Sequence, residues 1–104
     1  MSVAYSWQMI EARETGTSSA WLSGLRDARA RAEVARLVRR LALGNPGDVK
    51  PVGGGVSELR IQYGPGYRVY FVQRGSVLII LLCGGDKSGQ AKDIASVLKL
   101  AKEV

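Results

Sequence analysis

ELRIQYGPGYRVYF, residues 58–71, carries two apolar-alternating runs that meet at Gly64-Pro65-Gly66. Strand side chains point alternately to opposite faces, so Leu59, Ile61 and Tyr63 share one face and Tyr67, Val69 and Phe71 share it on the partner strand. A three-residue turn sets Tyr63 opposite Tyr67, Arg60 opposite Tyr70 and Gln62 opposite Arg68. The apolar face is expected to meet helices. The opposite face, with Glu58, Arg60, Gln62, Arg68 and Tyr70, is expected to be open, concave, and lined by cations and a phenol.

The same reading extends outward in both directions. Three consecutive strands are expected at roughly 57–63, 67–73 and 76–83, the last broken by Gly84-Gly85. Upstream, GNPGDVKPVGGGV at 44–56 reads as a glycine- and proline-rich loop with Asp48 and Lys50. Before it, Val34, Leu37, Val38 and Leu41 mark one side of a helix that stops at Gly44-Asn45-Pro46-Gly47. Trp21, Leu22, Leu25 and Ala28 mark another, capped by Thr17 or Ser18. The two patterns fit a pair of antiparallel helices or a single bent one. A first strand is expected around Trp7–Arg13. Ser88 can cap a C-terminal helix whose stripe is Ile94, Val97, Leu98 and Ala101. The order β-α-α-β-β-β-α predicts an α+β domain, with two N-terminal helices packed on a small, mostly antiparallel sheet and one helix at the C-terminus.

Composition sets the limits of function. A chain of 104 residues forms one domain, 1–104, with a single core. Fifteen Lys and Arg against nine Asp and Glu leave a formal charge of +6, which favours an anionic partner. One cysteine, Cys83, excludes an internal disulfide, and the lack of histidine argues against a Cys/His metal site. The N-terminus lacks the pattern of a signal peptide, and the apolar run 77–83 is too short to span a bilayer. The cytoplasm is the expected location, without a membrane partner.

Arginines beside a phenol suit a phosphate. Guanidinium forks hold phosphoryl oxygens bidentately and keep their charge, and a tyrosine can stack on a base or orient a proton. Without histidine, acid–base work falls to Lys, Arg, Tyr, Asp or Glu. RNA offers a route that needs no protein nucleophile, because its 2′-OH can attack the adjacent phosphate. The plainer reading also stands: exposed faces of antiparallel sheets are ordinarily polar, and Arg29, Arg36 and Arg40 read as a solvated helix face. The glycines at 53–55 lack the GxxxxGK[ST] pattern of a nucleotide loop.

GNPGDVKPVGGGVSELRI, GPGYRVYF and LLCGGDKSGQAKDI, in this order and spacing, resemble the RelE/ParE toxin superfamily, and within it the HigB-like, phage Gp49-like branch of addiction module killer proteins. The resemblance covers nearly the whole chain, with WLSGLRDARARAEVARLVRRL as the helical hairpin. It implies a RelE-like fold and the toxin of a type II toxin–antitoxin system. The implied activity is that of an endoribonuclease that enters the ribosome and cleaves messenger RNA by 2′-OH attack, with no metal or cofactor. By motif position, Arg60, Arg68, Tyr70 and Lys87 are the implied catalytic set, Lys87 serving to protonate the leaving oxygen. Lys50, Asp86 and Lys92 are the candidates for RNA or phosphate binding. The RelE branch carries a tyrosine in the helix after the last loop, whereas SGQAKDI has none, so either Tyr70 substitutes from the sheet or the message is stacked differently. The implied partners are a helix-turn-helix antitoxin, the ribosome and its message, and operator DNA through the antitoxin complex. Two alternatives share the fold: a ParE-type gyrase poison, and an inactive homologue that serves as a regulatory partner of the antitoxin.

Overall fold

The computed structural model describes residues 11–75 and 78–104. Residues 7–10 of the expected first strand, and 76–77 of the expected last one, lie outside that range. The elements run β1 (Glu11–Glu14), α1 (Gly16–Gly24), α2 (Ala28–Ala42), β2 (Val49–Gly53), β3 (Val56–Ile61), β4 (Tyr67–Arg74), β5 (Leu78–Gly85), a 3-10 turn (Lys87–Gly89) and α3 (Gln90–Ala101). The five strands form one sheet in the order β1-β5-β4-β3-β2. β1 pairs with β5 in parallel and every other neighbour pair is antiparallel. This is the expected α+β class, with two helices before the antiparallel strands and one after them. Among the described residues no helix is long and apolar enough to cross a membrane.

Two helices, not one bent helix, precede the sheet. Thr15 caps α1 instead of Thr17 or Ser18: its hydroxyl accepts from the Ser18 backbone N–H at 3.1 Å and donates to the Leu82 carbonyl at 2.8 Å. One side chain thus satisfies a free helix donor and ties α1 to β5. Asp27 caps α2 by accepting from the backbone N–H groups of Arg29 and Ala30. Its second carboxylate oxygen accepts from the Tyr63 hydroxyl at 2.8 Å, joining the start of α2 to the β3–β4 connection. Arg29 lies over the Tyr63 ring at 5.7 Å. That contact gives the first of the α2 arginines a packing role as well as a solvated one.

The segment 44–56 is a loop only in its first half. Val49–Gly53 is an edge strand, Lys50 pairing with Glu58 and Pro51 with Ser57. Proline is tolerated there because an edge strand leaves one row of N–H groups unpaired.

The hairpin register also differs from the expected one. Ile61 lies opposite Tyr67, Arg60 opposite Arg68 and Glu58 opposite Tyr70. The connection is five residues long, 62–66, closed by Gly66 N–H to the Tyr63 carbonyl at 3.2 Å. Gly64 and Gly66, with φ of 59° and 81°, supply its left-handed corners. A shift of two residues keeps every side chain on its expected face, so the facial reading survives the change of register.

The sheet is covered on both faces, which corrects the expectation of an open one. On one side α2 buries Val34 and Leu41, with Trp21 and Leu22 of α1 packed beside them, against Leu59, Ile61, Val69, Phe71, Ile79 and Leu81. On the other, α3 buries Val97 and Ala101 against Val56, Tyr70, Val72, Leu82 and Cys83. Each buried aliphatic side chain contributes roughly 1.5–3 kcal/mol, so the second face is a core in its own right. β5 runs through Gly84-Gly85 instead of ending before them. A bulge places Leu81 opposite Phe71 and Cys83 opposite Tyr70, leaving Leu82 between them. Leu82 and Cys83 therefore both face α3, and the following residues reverse phase. A Cβ on Gly84 would meet the Trp21 ring of α1, and one on Gly85 would meet Asp93 of α3.

Candidate functional site

The end of the sheet face that α3 leaves uncovered holds a polar cleft of about 370 Å³, lined by Arg60, Ile61, Gln62, Gly64, Pro65, Gly66, Arg68 and Lys87. Three of the four expected catalytic residues meet here. Arg60 and Arg68 arrive as cross-strand partners on β3 and β4. Lys87 arrives from the turn after β5, its Cβ 3.5 Å from where a Cβ on Gly66 would stand. The glycine turn matters for access: a side chain at Gly66 would also press on Arg68 Nη1 at 3.4 Å.

The two guanidinium groups are held very differently. Arg60, about one-third exposed, donates from Nε and Nη2 to Asp48 Oδ1 at 3.2 and 2.9 Å. Gln62 donates to the other Asp48 oxygen at 2.9 Å. These donors hold the Asp48 carboxyl below its usual range, the hydrogen bond from Arg60 first and that from Gln62 second. Arg68 is nearly enclosed, its side chain 11% exposed. Its Nη1 donates to the Gly66 carbonyl at 2.8 Å, and its Nε stands 3.3 Å from Glu58 Oε2. That carboxylate is 2% exposed and accepts from Gln90 Nε2 of α3 at 2.7 Å.

Tyr70 does not join them. It is wholly buried under α3, does not line the cleft, and its hydroxyl has no hydrogen-bond partner. Burial first, then the nearby Glu58 and Asp93 carboxylates, push its pKa up to about 12. The expectation of a phenol presented on an open face is therefore corrected: the ring is part of the α3 core.

The three binding candidates lie around the cleft instead of in its wall. Asp86 caps the turn that carries Lys87, accepting from the Ser88 backbone N–H at 3.0 Å and its hydroxyl at 2.5 Å. Those bonds, led by the Ser88 hydroxyl, hold its carboxyl low, and Arg68 adds to the effect. Asp86, not Ser88, is thus the capping residue, and Gly89 precedes α3 without a side-chain cap. Lys50 is exposed on β2, across from Glu58. Lys92 is exposed in the first turn of α3 beside Asp93, whose carboxyl burial raises above its usual range.

Sequence reasoning left Glu58, Asp48 and Gln90 without a role at this cleft. The signal for Glu58 was available: an acid in an alternating run whose same-face neighbours include Val56, Tyr70 and Val72 must be buried if a helix covers that face. Asp48 and Gln90 lie in other segments, and nothing local marks them. Among the described residues no three His, Cys, Asp or Glu side chains gather as a metal site.

A second, apolar groove of about 420 Å³ lies on the α1–α2 side, lined among others by Trp21, Leu22, Val34, Val38 and Leu81. It holds none of the expected site residues.

An uncharacterised protein of Haemophilus influenzae is 50% identical over 95 residues, spanning 91% of this chain and 96% of that protein. Residues 20–103 match the family described as phage derived protein Gp49-like (DUF891), a family of addiction-module toxin type. The match takes in the second half of α1, all of α2, strands β2 to β5 and α3 together with the whole cleft, and the chain belongs to this Gp49-like family.

Proposed function

We propose that the chain is the toxin of a type II toxin–antitoxin pair, of the HigB-like branch of the RelE/ParE superfamily, and that it cleaves messenger RNA on the ribosome. The observation that carries this reading is the meeting of Arg60, Arg68 and Lys87 in one cleft. A phosphodiester seated there faces two guanidinium groups able to share its charge as the 2′-oxygen adds and gives up its proton to solvent water. Lys87, on the turn at the rim, donates a proton from its ammonium to the departing 5′-oxygen. The products are a 2′,3′-cyclic phosphate and a free 5′-OH. The protein's contribution is position and charge, and no step calls for a metal.

Asp48 is the internal competitor. An incoming phosphate must either share Arg60 with it or displace it, whereas Arg68 is already oriented by groups that do not need to move. Lys50 and Lys92, exposed on either side, supply charge along the path of the RNA chain. The antitoxin, a helix-turn-helix protein in this reading, neutralises by covering the cleft or by preventing ribosome entry, and the pair represses its own operator.

The test is pulse expression of the wild type and of Arg68→Ala/Lys87→Ala, followed by mapping of messenger 5′ ends. New 5′-OH ends within translated frames, absent in the double variant, are expected. Growth arrest with intact messengers would sink the nuclease reading in favour of a gyrase poison.

A further inference from the structure

We propose that Glu58 is the positioning residue of the cleft, aiming Arg68 from beneath and linking that aim to the seating of α3. The proposal rests on the nuclease reading for its functional meaning, but its geometry stands apart from it. Glu58 occupies a site that its surroundings would give to an aliphatic side chain, among Val56, Tyr70 and Val72 on a face sealed by α3. An ionised carboxylate there is costly unless it is paired and hydrogen-bonded. Its partners are two. Arg68 Nε stands at 3.3 Å from Oε2, and Gln90 Nε2 donates to the same oxygen at 2.7 Å.

The consequence falls on Arg68. Glu58 attracts the Nε end of the guanidinium as an ion pair at 3.3 Å, with Nε buried and making no aligned hydrogen bond, and the Gly66 carbonyl accepts from Nη1. Nη2 makes no hydrogen bond among the described residues and is the edge left for an anion. A guanidinium fixed in this way presents that edge without losing rotamer freedom when the ligand arrives. Gln90 is the first residue of α3, so a shift of that helix withdraws the donor that holds Glu58 in place. Neither Glu58 nor Gln90 lines the cleft, and both act through Arg68.

The experiment uses the full chain. The Arg68 Nε–Hε cross-peak, assigned by its loss in Arg68→Lys, is followed by NMR in the wild type, Glu58→Gln and Gln90→Ala, alongside cleavage of ribosome-bound message. The expected wild-type signal is sharp and slow to exchange. Glu58→Gln is expected to broaden or erase it and to lower the cleavage rate at saturating substrate by up to about 10²-fold, the scale of a misplaced catalytic group. Gln90→Ala, on the helix rim, is expected to do the same to a smaller degree, and it serves if Glu58→Gln does not fold. In an Arg68→Ala background, Glu58→Gln is expected to add nothing further. Multiplying effects of the two substitutions, or a wild-type-like cross-peak in both Glu58→Gln and Gln90→Ala, would overturn the proposal. If the wild type cuts no message, the nuclease reading fails alone. The cross-peak then decides: its loss supports the positioning role and its persistence refutes it.

Discussion

Asp48 and Arg60 are bonded through backbone and side chain alike, the Arg60 backbone N–H to the Asp48 carbonyl at 2.9 Å and the guanidinium, most closely by Nη2, to Asp48 Oδ1 at 2.9 Å. The first bond belongs to the entry into the β2–β3 pair and the second reaches the cleft. The same acid therefore helps to place an edge strand and to occupy one of the cleft's two guanidinium groups.

Freeing Arg60 should strengthen anion binding. Asp48→Asn is expected to tighten binding of a short single-stranded RNA by about two- to fivefold at low salt, the scale of one exposed ion pair. Arg60→Gln should weaken it and reduce the salt dependence by about one counterion. Fluorescence titration across salt concentrations measures both. Because the Asp48 carboxyl is held below its usual range by Arg60 and then Gln62, its contribution to stability is present above that range and lost as pH falls through the depressed value. Asp48→Asn should flatten that acid limb.

Tyr70→Phe should be tolerated at neutral pH. It removes a buried hydroxyl that has no partner, so stability is expected to stay within about 1 kcal/mol of the wild type or to rise. The pH dependence is the sharper readout. The folded tyrosine ionises near 12 and an unfolded one near 10, so wild-type stability declines as pH rises through that interval. Cys83, pushed up to about 11 by burial, adds to the same decline. Chemical denaturation between pH 8 and 11 should show a shallower loss in Tyr70→Phe. Retention of messenger cleavage in this variant would confirm that the phenol takes no part in the chemistry.

The two glycines that end β5 should be intolerant of even one methyl group. A Cβ on Gly85 would stand 2.0 Å from Asp93 Oδ2, and one on Gly84 would stand 2.2 Å from Trp21 Cε3. Each Ala substitution is expected to cost about 1–3 kcal/mol, the scale of overpacking. Gly85→Ala should recover part of the loss when combined with Asp93→Ala, since the clash is with that side chain, whereas Gly84→Ala should not. Urea unfolding of the four variants separates these cases.

Thr15→Ala should cost about 1–2 kcal/mol. The hydroxyl both caps α1 and donates to the Leu82 carbonyl at the β5 bulge, so two groups lose a partner at once. Thermal unfolding in comparison with Thr17→Ala, an exposed site within the helix, provides the control.

The helices and the three long strands were legible because their patterns are local: Val34, Leu37, Val38 and Leu41 repeat at helical spacing, and Leu59, Ile61, Val69 and Phe71 alternate. β2 was hidden by Pro51 and three consecutive glycines, residues that an edge strand accepts and a central one does not. The hairpin register slipped because Gly64-Pro65-Gly66 marks the corner but not where pairing begins. The covered second face is the instructive miss. Glu58, Arg60, Arg68 and Tyr70 drew the eye as a polar face, while Val56 and Val72 on that same face, the unbroken run LIILLC and the apolar stripe of α3 all asked for a second core. Arg60, Arg68 and Lys87 were legible as a group from family motifs. The acids that govern the two arginines were not, because Asp48 and Glu58 act across strands and their effect depends on which helix lies overhead.

β1 lies beside β5, with Glu11 in register with Leu78. A parallel pair so far apart in sequence closes a long loop, and such closure is slow because its entropy is lost before the contact is made. Every residue of the cleft lies downstream of that loop's first half, between Asp48 and Gln90. During synthesis, Lys87 and Gln90 emerge after both arginines have been made. The cleft is therefore complete only once the segment through the start of α3 has been made.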